Sequence, residues 1–295
     1  MRGISIIIPT YNRENFIAEA IGSVLIQDYD GDIEIVISDD GSTDKTLEIA
    51  ESFGERVVVL RKPVNCFTQG AASTRNRGIR ASTKPNICFL DSDDYFLPGH
   101  LKKISSALEA DERFGFAFCR ILEVMDNGDS RFFRAWTKDH LTKKNILYPV
   151  ISANNIVCTN VFLFHRYVFD KVGLFNENYI NGEDGDMWMR ISEQYKGIFV
   201  DNFGAVRRKH EFYQLTGISK RIIFRRYSGV FSDAIKRYYK LDLNDSYRIY
   251  RLRILALKYR LFSMKLLFNT SRLYSNFIIN KVNSKNDWFE LSYFI

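Results

Sequence analysis

Ile4–Ile8 is an apolar run broken only by Ser5, and similar runs return at Ile33–Ser38, Arg56–Leu60 and Asn86–Leu90. Continuous β-branched and apolar runs of this length predict strands covered on both faces. The segments between them change period. Arg13–Gln27 places Phe16, Ile17, Ala20, Ile21, Val24 and Leu25 at helical spacing. Ser42 or Thr43 is placed to cap a helix running to about Phe53. Gln69–Ala81 reads as a third helix, and Pro98 opens a fourth that reaches about Ala110, since proline suits a first helical turn.

Strand and helix alternating at this spacing imply βαβ units: an α/β fold with a mostly parallel sheet flanked by helices. Ligands of such sheets bind beyond the carboxyl ends of the strands. Three polar clusters fall at such ends: Pro9–Asn12, Asp39–Thr43 and Asp91–Asp94. All three are therefore expected to face one crevice.

The middle of the chain is less regular. Phe114–Met125 reads as a strand, Asp126–Asp129 as a turn and Ser130–Trp136 as its hairpin partner. Asn160–His165 reads as another strand, Tyr167–Val172 as a short helix and Met187–Tyr195 as a longer one. Beyond Lys220 the chain is expected to be mainly helical. This divides it into a catalytic domain over 1–219 and a C-terminal region over 220–295.

Charge sharpens that division. The net charge of +7 is unevenly placed: 220–295 holds 16 Lys+Arg against 5 Asp+Glu, a net +11, so 1–219 carries −4. Two readings of the tail stay open. One is a basic amphipathic surface that docks on an anionic membrane. The other is helices that pack on the first domain or mediate an oligomer. Nucleic acid is not expected, because no nucleic-acid motif accompanies the bases.

With 46% hydrophobic and 26% charged residues the chain has an ordinary globular composition. Cys66, Cys88, Cys119 and Cys158 form no CxxC pair, which points to a reducing, cytoplasmic setting. The opening MRGISIIIPTYN reads as no secretory leader, and no stretch reaches the length of a membrane span.

The polar clusters carry the candidate chemistry. Alternate carboxylates in Asp91-Ser92-Asp93-Asp94, at a strand end, can reach one hard cation such as Mg2+ or Mn2+. Asp39-Asp40-Gly41-Ser42 offers a carboxylate to a nucleobase imide or a ribose. Asn181-Gly182-Glu183-Asp184-Gly185-Asp186 reads as an acidic loop before a helix and could supply a general base. Each has a plainer alternative: a capping turn, or acids favoured at a helix N-terminus.

The ordered set of motifs resembles the family 2 glycosyltransferases. Ile4–Asp44 resembles their opening segment. CFLDSDDYFLPGHL, 88–101, resembles their D-x-D segment, and VGLFNENYINGEDGDMWMRIS, 172–192, their acceptor-side segment. The resemblance covers residues 4–219. It implies a GT-A (Rossmann-like) fold, a nucleoside-diphosphate-sugar donor, a divalent metal (Mn2+ or Mg2+) and inversion at the anomeric carbon. It places Pro9, Tyr11, Asp39, Asp40, Arg75, Asp91 and Ser92 around the nucleotide. Asp93 becomes the direct metal ligand, with Asp91 and, through a loose R-x-x-H match, His210 beside it. Asp184 becomes the catalytic base, and Glu183, Asp186 and Trp188 lie on the acceptor side. The loop Lys62–Gly70 departs from the family pattern by being bulkier.

The implied donor is UDP-linked by default. The acceptor is a hydroxyl of a saccharide or a lipid-linked saccharide, in the setting of bacterial surface polysaccharide. Two alternatives are weighed. A nucleotidyltransferase would want a glycine- and lysine-rich phosphate loop after the first strand, and IIIPTYNREN has none. An inactive nucleotide-sugar-binding module would be expected to lack Asp93 or Asp184, and both are present.

Overall fold

A computed structural model describes residues 1–63, 70–132, 158–179, 182–209, 229–230, 232–234 and 236–237. The chain divides into two compact units, Met1–Gln214 and Leu215–Ile295. The elements below belong to the first. Cys66, His210, the end of the expected hairpin partner at Phe133–Trp136, the boundary at 219–220 and most of the expected C-terminal helices lie outside the described residues.

The strands are β1 (Ile4–Thr10), β2 (Ile33–Asp39), β3 (Val57–Leu60), β4 (Asn86–Phe89), β5 (Tyr95–Phe96), β6 (Phe114–Met125), β7 (Ser130–Phe132), β8 (Phe162–His165) and β9 (Lys196–Lys209). The helices between them are α1 (Ile17–Leu25), α2 (Thr46–Glu51), α3 (Ala71–Ala81), α4 (His100–Glu109), α5 (Tyr167–Val172) and α6 (Glu183–Gln194). Among the described residues the strands form one sheet in the order β3-β2-β1-β4-β8-β6-β9-β5, with β7 paired to β6.

The β3-β2-β1-β4 half is parallel throughout, as the apolar runs predict. Ile6, Ile7 and Ile8 are consecutive in β1 and all fully buried, which is the burial of a strand covered on both faces. Helix α3 lies close on this half. A Cβ on Gly78 would stand 2.4 Å from Ile7 Cγ2, so a glycine is needed where helix and strand meet.

The other half is mixed. Strand β8 runs antiparallel to β4 and β6, while β9 runs parallel to β6 and antiparallel to β5. Strand β9 has no counterpart in the sequence reading. Its pairing with β6 shifts register three times, and most of its residues are half-buried. Bulges break the two-residue alternation by which a strand is recognised. An aromatic layer fills this half: Trp188 is fully buried, stacked on Phe164 at 5.1 Å and 13° and close to Phe162 at 4.5 Å.

Several element ends move from their expected places, for local reasons. Helix α2 starts after Asp44, whose carboxylate accepts from Thr46 N at 3.0 Å and Thr46 Oγ1 at 2.5 Å, so neither Ser42 nor Thr43 is the cap. Helix α4 starts at His100, after Gly99 at φ 72°, rather than at Pro98. Residues Thr159–Val161 form a 3-10 turn, so β8 begins only at Phe162. Helix α6 begins at Glu183, one turn earlier than expected, so the acidic cluster is its first turn and not a loop before it.

Candidate active site

Strands β1, β2 and β4 are neighbours and parallel, so their carboxyl ends open on one edge of the sheet. Thr10 pairs with Asp39 across β1 and β2. Pro9–Asn12, Asp39–Thr43 and Asp91–Asp94 therefore emerge side by side.

The first two loops are joined by reciprocal hydrogen bonds. Asn12 N donates to Ser42 Oγ at 2.9 Å, and Thr43 N donates to Asn12 Oδ1 at 2.8 Å. Arg13 N donates to Thr46 Oγ1 at 2.6 Å, and Glu14 N to Asp44 Oδ2 at 3.2 Å. Lys45 N donates to Glu14 Oε2 at 3.1 Å. Tyr11 projects from this joined edge with its side chain exposed, and Pro9 is half-buried below it. Asp39 is buried, its carboxylate taking Gly41 N, Ser42 N and Ser42 Oγ, so it shapes the turn. Asp40 points elsewhere: Oδ2 accepts from Gly70 N at 2.8 Å, and Oδ1 lies 3.6 Å from Lys62 Nζ. Among the described residues Oδ1 is buried without a hydrogen bond. An acceptor in that state suits an incoming N–H donor.

The Asp91–Asp94 turn closes with Asp94 N on Asp91 O at 3.0 Å. The side chain of Asp91 is 31% exposed and that of Asp93 17%, while Asp94 and Ser92 are buried. Arg13 Nε lies 3.5 Å from Asp93 Oδ2. Asp94 accepts from Asn160 Nδ2 at 2.5 Å and Arg208 N at 2.8 Å. Burial, then the nearby Asp93 and Asp91 charges, hold the Asp94 carboxyl well above the usual carboxylate range. Like charges crowd here, and a divalent cation is one agent that relieves such crowding. Among the described residues no group of three or more His, Cys, Asp or Glu side chains gathers round one cation position. Asp91 and Asp93 are hard oxygen donors that fit Mn2+ or Mg2+, as a partial set of the kind that substrate phosphates complete.

Arg75 links this turn to α6. Buried on α3, it donates from Nη2 to Asp91 Oδ1 at 2.8 Å and to Thr159 Oγ1 at 3.3 Å, and from Nη1 to Glu183 Oε1 at 3.0 Å. Its guanidinium also lies over the Phe175 ring at 5.7 Å. The sequence reading put Arg75 at the nucleotide; in the structure its donors hold carboxylates on both sides of the cleft. Glu183 is buried and its carboxyl is pushed up to about 7 by that burial and by the Asp184 charge next to it. Asp184 is half-buried and raised above the ordinary value by burial, against the pull of Arg75. A carboxylate raised in this way is a better proton acceptor than a solvated one.

Asp186 and Trp188, expected on the acceptor side, are both buried. Asp186 is buried and pairs with Arg190 Nε at 2.9 Å, and Arg190 donates onward to Val172 O and Leu174 O. That arrangement ties the segment after α5 to α6. Asn76 fixes the same segment from α3, exchanging hydrogen bonds with the backbone of Phe175. Trp188 lies in the aromatic layer beneath and offers no surface to a ligand. Asp184 and Trp188, four residues apart, share one face of α6: Asp184 is half-buried at the helix start and Trp188 is fully buried one turn further in.

Three residues of the site escaped the sequence reading: Arg13, Lys62 and Asn160. Arg13 had a usable signal, a cation directly after a strand exit. Asn160 had a weaker one, an amide at the head of the apolar run Val161–Phe164.

Residues 5–173 match the family model described as glycosyl transferase family 2. An uncharacterised glycosyltransferase of Nostoc is 31% identical over 172 residues, 57% of this chain and 52% of the relative. An uncharacterised glycosyltransferase of Rickettsia typhi is 31% identical over 199 residues, 65% and 60%. These matches span about half to two-thirds of the relatives' lengths. The Escherichia coli UDP-Glc:alpha-D-GlcNAc-diphosphoundecaprenol beta-1,3-glucosyltransferase WfaP is 31% identical over 209 residues, 70% of this chain and 76% of WfaP. The fold is also that of S. aureus TarS in complex with UDP-GlcNAc, with a TM-score of 0.65 at 20% identity over 88% of this chain and 71% of that one. It is similar too to the mannosyltransferase PcManGT of Pyrobaculum calidifontis in complex with GDP-Man and Mn2+, with a TM-score of 0.61 at 18% identity over 94% and 78%.

Proposed function

The chain belongs to glycosyl transferase family 2, and from that premise we propose that it is an inverting, metal-dependent enzyme moving a sugar from a UDP-linked donor to a hydroxyl of a saccharide or lipid-linked acceptor. The observation that carries the proposal is the Arg75 bridge, which ties the Asp91–Asp94 turn to the first turn of α6, where Asp184 follows Glu183.

The residues divide the work. Tyr11 covers the base, and Asp40 Oδ1 accepts its imide N–H. Asp91 and Asp93 would hold a divalent cation, which would offset charge building on the leaving diphosphate. Asp184 takes the proton of the acceptor hydroxyl as its oxygen attacks the anomeric carbon from the face opposite the diphosphate. The new C–O bond forms as the bond to the diphosphate breaks, its electron pair leaving with the diphosphate. One displacement inverts the configuration, the logic of inverting glycoside chemistry with a sugar hydroxyl in place of water.

WfaP, whose printed activity uses UDP-glucose and a diphosphoundecaprenol-linked acceptor, supports a UDP-linked donor and a lipid-linked acceptor here. PcManGT, in complex with Mn2+, supports the metal. Among the described residues no helix is long and apolar enough to cross a membrane. The net +11 over 220–295 supports docking on an anionic membrane, where a lipid-linked acceptor would lie. The proposal is tested by incubating the full chain with UDP-, GDP- and TDP-sugars and Mn2+ and assaying free nucleoside diphosphate. Release from a UDP-sugar supports it; release from none of them, with acceptor extracts supplied, would overturn it.

A further inference from the structure

The Asp91–Asp94 turn closes on itself with one backbone hydrogen bond. Both of its ends are held from outside by a single side chain. Asn160 Oδ1 accepts from Asp91 N at 2.8 Å, and Asn160 Nδ2 donates to Asp94 Oδ2 at 2.5 Å. Asn160 is fully buried, in the 3-10 turn that leads into β8. Strand β8 pairs with β4, so the sheet itself brings this amide to the turn that follows β4. The second oxygen of Asp94 is held by Arg208 N at 2.8 Å, and Arg208 Nη1 donates to Asp93 O at 3.2 Å.

We propose that Asn160 is a positioning residue of the donor site: its amide staples both ends of the Asp91–Asp94 turn and so fixes the directions of the Asp91 and Asp93 carboxylates. This rests on the reading above that those carboxylates serve a metal-bound donor. The chemistry asks for a carboxamide. The position must accept from an N–H and donate to a carboxylate at once, within one short side chain. Aspartate keeps the first role and sets carboxylate against carboxylate in the second. Alanine keeps neither, and glutamine is one methylene too long for a turn held at both ends. The amide also partners a buried carboxylate, where an unmet hydrogen bond is costly. Thr159, next in the chain, acts beside it: its Oγ1 approaches Asp91 and receives Arg75 Nη2.

The test compares Asn160→Ala and Asn160→Asp with the wild-type chain in two readouts. The first is amide hydrogen exchange. Exchange at Asp91 is expected to rise by about tenfold or more in Asn160→Ala and by less in Asn160→Asp, which keeps an acceptor for Asp91 N, while Ile87–Phe89 in β4 stay protected. The second is UDP binding with and without MnCl2. The Mn2+-dependent gain in UDP affinity is expected to fall by about tenfold in both variants, with metal-free binding changed less. A folded Asn160→Ala chain with unchanged exchange at Asp91 would overturn the staple, and so would loss of fold in both variants, since Asn160 would then be a determinant of the fold and not of the turn. Increased exchange with an unchanged Mn2+-dependent gain would overturn its role at the donor site. Wild-type protein that binds no UDP would instead sink the donor reading, with the exchange result still deciding the staple.

Discussion

Arg75 Nη1 lies 3.0 Å from Glu183 Oε1, an ion pair between α3 and the first turn of α6 in which neither side chain is more than 9% exposed. The same guanidinium holds Asp91 at 2.8 Å, so one cation spans the donor turn and the helix that carries Asp184.

Removing that cation should uncover two carboxylates at once. Arg75→Met is expected to cost about 3–5 kcal/mol of stability, the range for a buried pair that loses one partner. Arg75→Lys keeps the charge without the fork and cannot serve both carboxylates at these distances. Urea unfolding read beside donor hydrolysis checks this; a Lys variant with wild-type stability and rate would count against the bridge.

The acids of α6 should separate by role. Asp184→Asn is expected to abolish transfer while leaving UDP affinity within about twofold, since the base acts only on the acceptor. Asp186→Asn should do the reverse. It weakens the hold on Arg190 and costs about 1–3 kcal/mol of stability, with the transfer rate of the folded fraction largely kept. Isothermal titration, thermal melting and single-turnover rates measure the three quantities.

Divalent metal with UDP should raise the melting temperature of the wild-type chain, because a ligand that binds only the folded state stabilises it, by about 2.7 kcal/mol at a hundred times Kd. Asp93→Ala should lose most of that gain. A gain of equal size in the variant would move the metal away from this turn.

Acid should weaken the protein through His100. The ring is fully buried against Phe96, and burial pushes its pKa down to about 3. Cys119 Sγ lies 3.9 Å from His100 Nδ1, and a Cβ on Gly204 would stand 2.2 Å from the same nitrogen, so the backbone of β9 packs closely against the ring. Below the ordinary value of 6.5 the unfolded chain binds a proton that the folded chain refuses. Stability contributed by His100 therefore falls as pH drops from about 6.5 toward 3, by up to about 1.4 kcal/mol per unit. His100→Leu should flatten that slope by one proton's worth in urea titrations at several pH values; an unchanged slope would assign the acid sensitivity elsewhere.

The parallel half of the fold was legible because Ile6–Ile8, Ile35–Ile37 and Ile87–Phe89 are covered on both faces, and such burial writes itself as unbroken apolar runs. Strand β9 was not legible, because its bulged pairing with β6 breaks both periods. The site follows the same division. Asp40, Asp91 and Asp93 stand at strand exits, where position alone marks them. Arg75 was placed at the nucleotide by the resemblance, and its pairing with Asp91 and Glu183 is a fact of packing between α3 and α6 that no local pattern records. Asp186 and Trp188 were placed on the acceptor side by the resemblance, with Asp186 read as part of a loop. Once α6 starts at Glu183, its turn carries Asp186 to Arg190 and Trp188 to the aromatic layer.

The five hydrogen bonds between the loop after β1 and the loop after β2 have a consequence for changing the donor. Each loop supplies donors and acceptors that the other spends, so neither is a modular cassette. A relative's 10–16 segment grafted here without its 40–46 segment would arrive with half its partners missing, and Asp40 would shift with them. Chimaeras that exchange both segments together should keep a working nucleoside pocket, and families of such enzymes should diversify these two stretches as one inherited block.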